Sequence, residues 1–120
     1  MDSRETTIVI SFGNNQILGQ RVVVADTWQM RTKGLIGRAK LDSGEGLLIK
    51  NCKAIHTWFM RFPIDVVFMD KNYCVVKTIS QLKPFRLAFG GRSVRHVLEL
   101  PSDTISSAQV RIGDMVNARI

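Results

Sequence analysis

The segment Ile64–Met69 constrains the fold most, because it is a nearly continuous apolar run that contains one carboxylate, Asp65. Such a run indicates a strand that is covered on both faces, and therefore a layered domain. A buried carboxylate is costly unless it is paired or hydrogen-bonded, so Asp65 needs a partner. The candidate partners are Arg31, Arg38, Arg61 and His56, or backbone N–H groups that the carboxylate would cap.

The rest of the chain repeats this pattern of short β-prone runs between turn residues. Further strands are predicted at Thr6–Phe12, Ile17–Ala25, 47–49, 55–60, 73–79, 94–100 and 115–120. Turn residues at 13–15 and 70–72 predict two hairpins, and 84–92 is predicted as a loop. Asp26 with Gln29 has the spacing of a helix capping box, and 102–104 is expected to cap a short helix to about Ala108. We therefore expect residues 1–120 to form one mainly β domain, a β-sandwich or barrel-like fold with one or two short helices.

The net charge is +7, from 17 Lys and Arg against 10 Asp and Glu. This balance favours acidic partners, nucleic acid among them, but the scatter of the basic residues is typical of a solvated surface. Their densest runs are 31–40 and 83–95. No apolar run approaches the roughly 18 residues of a membrane span, and none of signal type follows the start of the chain. These observations predict a cytoplasmic protein, or one from which a leader has been removed.

Several motifs, in order, resemble one family, the domain of unknown function 192. They are residues 31–38 with Leu41, 46–49, 55–60, 63–70, 97–101 and 112–114. The resemblance covers about Val22 to Met115, and it implies a single-domain β-sandwich with a short helix near the first motif. It implies no activity. Other members carry a motif similar to Trp-Met-Lys-Asn-Thr near the position of Met60, whereas this chain has His56-Thr57. Any role of His56 would therefore belong only to the branch of the family that contains this chain.

Cys52, His56, Cys74 and His96 have the side-chain types of metal ligands but not their tight spacing. Residues 52–56 would span about 13 Å if extended, so Cys52 and His56 meet only if the chain turns at 53–54. We expect two reduced thiols, no metal and no cofactor. His96 is expected to be a core histidine with one satisfied nitrogen. A metal-dependent or Cys–His enzyme at Cys52, His56 and Asp65 is the second hypothesis.

Recognisable hydrolase and phosphate-loop motifs are missing. Asp65 and Glu99 could form a carboxylate pair, but the simpler expectation is that Glu99 points outward beside Arg95. Aromatic residues flank two basic loops, and if those loops meet they form a cationic, aromatic rim; otherwise the aromatics fill the core. The aromatic residues concerned are Trp58, Phe59, Phe62, Phe85 and Phe89.

The leading hypothesis is a non-enzymatic binding or accessory module. Its ligand is expected to be an anionic small molecule, a carbohydrate or a peptide. Nucleic-acid binding through residues 31–40 and 83–95 is the third hypothesis. The candidate ligand-binding residues are His56, Thr57, Trp58, Arg61, Asp65 and Arg38.

Overall fold

A computed structural model describes residues 6–12, 17–25 and 40–119 of the chain. These residues form nine strands and one short helix. The strands are β1 (Thr6–Phe12), β2 (Ile17–Ala25), β3 (Glu45–Lys50), β4 (Ala54–His56), β5 (Ile64–Met69), β6 (Val75–Leu82), β7 (Leu87–Phe89), β8 (His96–Pro101) and β9 (Val116–Arg119). The helix, α1, is Thr104–Ala108. The mainly β fold predicted from the sequence is confirmed.

Seven strands form one mixed sheet in the order β6-β5-β8-β3-β2-β1-β9, and β4 and β7 form a separate two-stranded sheet. All pairs in the large sheet are antiparallel except β2 with β3. The sheet curls until its two edges touch at one antiparallel bridge, between Cys74 and Met115. Because the pairing does not continue beyond this bridge, the barrel stays open.

Strand β5 has the environment that its sequence predicts. All six of its residues are buried, and β5 lies between β6 and β8. Its side chains alternate between two apolar clusters on opposite faces of the sheet. The first cluster, which α1 helps to cover, comprises Ile10, Val22, Leu48, Val67, Met69, Val75, Leu98, Leu100, Ile105, Ala108, Val110 and Val116. The second comprises Ala25, Leu47, Ile49, Ile55, Met60, Ile64, Val66, Phe68, Ala88, Val94 and Val97.

The two-stranded sheet packs on the second cluster, where Ile55 of β4 and Ala88 of β7 are buried. The approach is close at Gly90, just after β7. A Cβ atom built on Gly90 would lie only 2.4 Å from the Cδ1 atom of Phe68, so a larger residue would force the layers apart. This glycine therefore sets how tightly the small sheet covers the large one.

The predicted hairpins β1–β2 and β5–β6 are confirmed. In the second, Oδ1 of Asp70 accepts hydrogen bonds from the backbone nitrogens of Asn72 and Cys74, an Asx arrangement that stabilises the turn. The predicted helix ending at Ala108 is also confirmed. The helix predicted at Asp26 and the family's first motif, residues 31–38, lie outside the described residues.

Two predictions were wrong in detail. The segment 84–92, predicted as a loop, contains strand β7, whose three residues pair with β4. The strand predicted over 55–60 is shorter and ends at His56, because the chain turns at Trp58 and Phe59. Within the described residues, no helix is long and apolar enough to cross a membrane.

Candidate functional site

Apolar side chains are concentrated on the outward side of the β4–β7 sheet. Leu87 and Phe89 of β7 are 68% and 58% exposed, while Ala88 between them is buried. In the register of the pair, His56 lies opposite Leu87 and Ala54 lies opposite Phe89. We call the exposed set the aromatic face; it comprises His56, Trp58, Phe59, Phe85, Leu87 and Phe89. Exposed apolar clusters of this kind mark interaction sites more often than scattered apolar residues do.

Two phenylalanines of the aromatic face have an unusual backbone conformation. Phe59 and Phe85 have φ angles of 65° and 61°, in the left-handed region that bulky residues avoid. Such a conformation costs on the order of 1–3 kcal/mol, and it persists where surrounding contacts enforce it. Both side chains are exposed, at 69% and 56%, and their rings meet edge to face with centroids 6.0 Å apart. The fold thus holds two strained residues so that their rings face solvent together.

Thr57 provides the contacts that hold these two segments together. Its hydroxyl donates a hydrogen bond to the carbonyl oxygen of Lys83 at 2.6 Å and accepts one from the backbone nitrogen of Arg86 at 2.8 Å. Its backbone nitrogen donates to the Arg86 carbonyl, and its carbonyl accepts from the Phe85 nitrogen. Thr57 is fully buried. The sequence singled out Thr57 as a ligand-binding candidate, and the structure shows a clamp between β4 and the segment before β7.

His56 and Trp58 lie on either side of this clamp and point outward. Nδ1 of His56 accepts a hydrogen bond from the Trp58 backbone nitrogen at 3.3 Å, and the two rings meet edge to face at 5.1 Å. This hydrogen bond leaves Nε2 as the ring nitrogen available to a ligand. The two basic aromatic loops meet, through the Phe59–Phe85 ring contact and the hydrogen bond from the Phe85 nitrogen to the Thr57 carbonyl, which is the condition set for a cationic, aromatic rim. Phe62 is the exception among the aromatics, because it is half-buried against the second cluster.

The segments that form the aromatic face carry charge of one sign. Residues 51–63 and 71–95 contain no Asp or Glu, but they contain eight Lys and Arg. Among these cations, four side chains near the face are exposed: Lys53, Arg61, Lys83 and Arg86. The potential over this layer therefore favours an anionic ligand.

Asp65 lies elsewhere, buried on β5. Its Oδ1 accepts a hydrogen bond from the backbone nitrogen of Gln81 at 2.9 Å, and its Oδ2 accepts one from the backbone nitrogen of Ile105 at 2.8 Å. The second bond caps the first turn of α1, where Asp103 makes no side-chain cap bond. Of the partners proposed for Asp65, the backbone N–H groups are confirmed. Arg38 and Arg31 lie outside the described residues.

The three residues of the enzyme hypothesis are not brought together. Cys52 packs against the second cluster and its thiol donates to the Ala54 carbonyl oxygen, His56 faces outward, and Asp65 caps α1. Within the described residues, no three His, Cys, Asp or Glu side chains are grouped closely enough to hold a metal ion. Cys52 and Cys74 are both thiols, as expected.

His96 is the core histidine that its position on β8 predicts. Its ring stacks on Tyr73 with centroids 4.4 Å apart, and Nδ1 accepts a hydrogen bond from the backbone nitrogen of Asn51. Burial, followed by the nearby charges of Lys50 and Arg95, lowers the pKa of His96. One nitrogen is satisfied by the protein, as predicted.

The expectation for Glu99 was wrong. Glu99 is 3% exposed, because its side chain lies on the face of the large sheet that the second cluster covers. Its register partners are Leu47 and Val66, both members of the second cluster. Burial raises the pKa of the Glu99 carboxyl to about 8. The Oε1 atom of Glu99 is buried and has no hydrogen-bond partner; among the described residues, no other buried side-chain oxygen or nitrogen lacks one.

Sequence reasoning missed Leu87 as part of the aromatic face and Glu99 as a buried acid. The alternation of Leu87, Ala88 and Phe89 was a weak strand signal, hidden by Pro84 and by the glycines at 90 and 91. For Glu99, the apolar neighbours on both sides were the signal, and they pointed to a strand covered on both faces.

Comparison with known proteins agrees with the fold. A crystal structure of a protein of unknown function from Novosphingobium aromaticivorans superposes with a TM-score of 0.80 at 18% identity, over 94% of this chain and 84% of that chain. A second, from Sinorhizobium meliloti and described as a "putative transcription regulator", superposes with a TM-score of 0.84 at 17% identity, over 98% of this chain and 96% of that one. At these identities the likeness shows the fold alone.

The sequence relatives are archaeal proteins of the UPF0127 group. The relative from Pyrococcus horikoshii is 35% identical over 63 residues, which are 52% of this chain and 54% of the relative. The relative from Pyrococcus abyssi is 28% identical over 102 residues, which are 80% of this chain and 84% of the relative. The matches to the Pyrococcus horikoshii relative and to a relative from Pyrococcus furiosus each span about half the length of that relative.

The family model of domain of unknown function 192, described as "Uncharacterized ACR", matches residues 9–118. This match covers most of the chain, including the strands of both sheets and the whole aromatic face. The chain belongs to the DUF192 family.

Proposed function

We propose that this chain is a binding module, and that its aromatic face binds an acidic segment of a partner protein. The observation that carries the proposal is the pair Phe59 and Phe85. Both residues have left-handed backbone conformations, both are exposed, and their rings are in contact. Other non-glycine residues, such as Tyr73, also have positive φ angles, but at Phe59 and Phe85 the strained backbone coincides with exposed aromatic rings in contact, and backbone strain tends to cluster at functional sites.

The chemistry of the face indicates what the partner carries. Leu87 and Phe89 offer aliphatic and aromatic surface, which favours apolar side chains on the ligand. The surrounding cations are unmatched by any Asp or Glu in residues 51–63 and 71–95, which favours acidic side chains beside them. A partner segment that combines apolar and acidic residues satisfies both requirements.

The same charge argues against association of this face with a second copy of itself. Pairing two copies through the aromatic face would bring Lys53, Lys83 and Arg86 towards their equivalents without acidic residues between them. Like charges in an interface cost several kcal/mol. The electrostatic complement of the face is therefore a different, acidic chain.

A titration of ¹⁵N-labelled protein tests the proposal. The probe is a synthetic peptide that alternates Glu with Trp and Leu, and the matched control carries Lys in place of each Glu. We expect saturable chemical-shift changes at His56, Phe59 and Phe85 with the acidic peptide, weakened by added salt, and none with the basic one. Equal binding of both peptides, binding of neither, or tighter binding of a single-stranded oligonucleotide of equal charge would overturn it.

A further inference from the structure

The other buried polar side chains of the described residues all make hydrogen bonds. The Asp65 carboxylate accepts two backbone hydrogen bonds, the Thr57 hydroxyl donates one and accepts another, and the His96 ring accepts one. Buried polar atoms without a partner are rare in native proteins, and each one asks for an explanation such as a ligand, an ion or a catalytic role. The Oε1 atom of Glu99 is such an atom.

The surroundings of Glu99 make its position expensive. Its side chain lies on the face of the large sheet that carries Leu47 and Val66, and it is 3% exposed. An apolar residue of similar size would avoid the cost of burying an unpartnered carboxyl group. The presence of Glu99 in the middle of an apolar face therefore indicates a use that an apolar residue would not serve.

A second carboxyl group lies beside it on the same face. Glu45 of β3 is two residues before Leu47, the register partner of Glu99, so the two glutamates are diagonal neighbours about 7–8 Å apart. Glu45 is half-buried and lies nearer the end of the sheet, beside the exposed Arg21 of β2. The polar row from Arg21 through Glu45 to Glu99 thus leads from the surface into the apolar face.

We propose that Glu99, with Glu45 beside it, is a binding site for a small primary ammonium group, which donates to the unpartnered oxygen of Glu99. An ammonium group suits the site because it offers N–H donors and a positive charge to the unpartnered Oε1 atom of Glu99. Glu45 adds a second carboxylate nearby, although its Oε1 atom already accepts a hydrogen bond from the Asp42 backbone nitrogen at 2.8 Å. This site is on the large sheet and is separate from the aromatic face, so it does not depend on the proposed function.

Binding is coupled to loss of a proton. At neutral pH the buried Glu99 carboxyl is mainly protonated, because burial raises its pKa to about 8. An ammonium ion pairs with the carboxylate form, so the carboxyl proton passes to the buffer when the ion binds. A primary ammonium keeps its own charge well above this pH, as the lysine side chain does. Binding should therefore be about tenfold tighter at pH 9 than at pH 7, in proportion to the ionised fraction of Glu99.

The experiment uses methylammonium chloride as the probe, with the ionic strength held constant by sodium chloride. Protein labelled with ¹³C at the glutamate carboxyl carbons is titrated with the probe at pH 7 and pH 9. We expect saturable shifts of the Glu99 and Glu45 signals and about tenfold tighter binding at pH 9. In the isosteric variant Glu99→Gln the shift of the Glu45 signal should be lost, and in Glu45→Gln the shift of the Glu99 signal should show weaker binding. The proposal is overturned if sodium has the same effect, if Glu99→Gln binds as the unaltered protein does, or if no saturable shift occurs at pH 9.

Discussion

The Oδ2 atom of Asp65 accepts a hydrogen bond at 2.8 Å from the backbone nitrogen of Ile105, 40 residues further along the chain. A side chain on β5 therefore caps α1, the helix that follows β8. The other carboxylate oxygen accepts from the nitrogen of Gln81 on β6. Asp65 thus joins β5 to the edge strand β6 and to α1, which helps to cover the first cluster.

Replacing Asp65 should destabilise the fold. Asp65→Ala leaves the Gln81 and Ile105 N–H groups without acceptors, and we expect a loss of roughly 2–5 kcal/mol in the free energy of unfolding. Urea denaturation measures the loss. Asp114 is the matched control, since its Oδ2 accepts from the Arg111 nitrogen in an exposed turn where water can replace it. Equal losses for Asp65→Ala and Asp114→Ala would contradict the role assigned to Asp65.

Replacing Thr57 should release the clamp under the aromatic face. Thr57→Val keeps the shape of the side chain but removes the hydroxyl that bonds Lys83 and Arg86, at a cost of about 1–3 kcal/mol. Thr57→Ser keeps the hydroxyl and should recover most of the stability. Hydrogen exchange provides the local measurement, because Thr57→Val should speed exchange at Phe85 and Arg86 more than in β5. Uniform acceleration across the sheet would count against a local clamp.

Several of these features follow from the sequence alone. Turn chemistry at Asp70 predicts the β5–β6 hairpin, and a carboxylate within an apolar run predicts that Asp65 is buried and partnered. The identity of the partner could not be predicted, because Ile105 lies far away in sequence and contributes only a backbone group. The sequence could not decide whether the two aromatic loops meet and form a rim. Only tertiary packing decides whether aromatic side chains fill the core or face solvent.

Glu99 shows why the remaining features could not be predicted. The mostly apolar run at residues 97–100 was a signal for a strand covered on both faces, but it does not say which layers cover them. In the structure the first cluster packs on the face of Leu98 and Leu100, and the second cluster packs on the face of Val97 and Glu99. The nearby Arg95 in the sequence had suggested that Glu99 points outward. The packing of the second cluster on this face of the sheet buries Glu99 instead.

The buried Glu99 carboxyl predicts a specific pH dependence of stability. Its pKa is about 8 in the folded protein, against a reference value of 4.5. Between these values the folded state holds a proton that the unfolded state has released, so stability falls as pH rises from about 4.5 to about 8, by up to ~1.4 kcal/mol per pH unit.

Thermal denaturation of the unaltered protein and of Glu99→Gln measures this dependence. Gln carries no titrating proton, so the variant should lose the downward slope between pH 5 and pH 8. His96 acts in the opposite direction and at lower pH, because its lowered pKa makes stability fall as the solution is acidified through about 6.5. This contribution is common to both proteins and cancels in their difference. A difference that does not change with pH would show that Glu99 is ionised in the folded state.

The central claim is that Phe59 and Phe85 form the binding surface for an acidic, apolar partner segment. Calorimetric titration with the alternating Glu, Trp and Leu peptide tests it most directly, on Phe59→Ala, Phe85→Ala and the control Ile112→Ala. Ile112 is as exposed as Phe59, at 70%, but it lies in the turn before β9, outside the aromatic face. We predict that each phenylalanine variant weakens binding about tenfold or more, or about 1.4 kcal/mol, while Ile112→Ala binds as the unaltered protein does. Equal affinity in all three variants would contradict the claim.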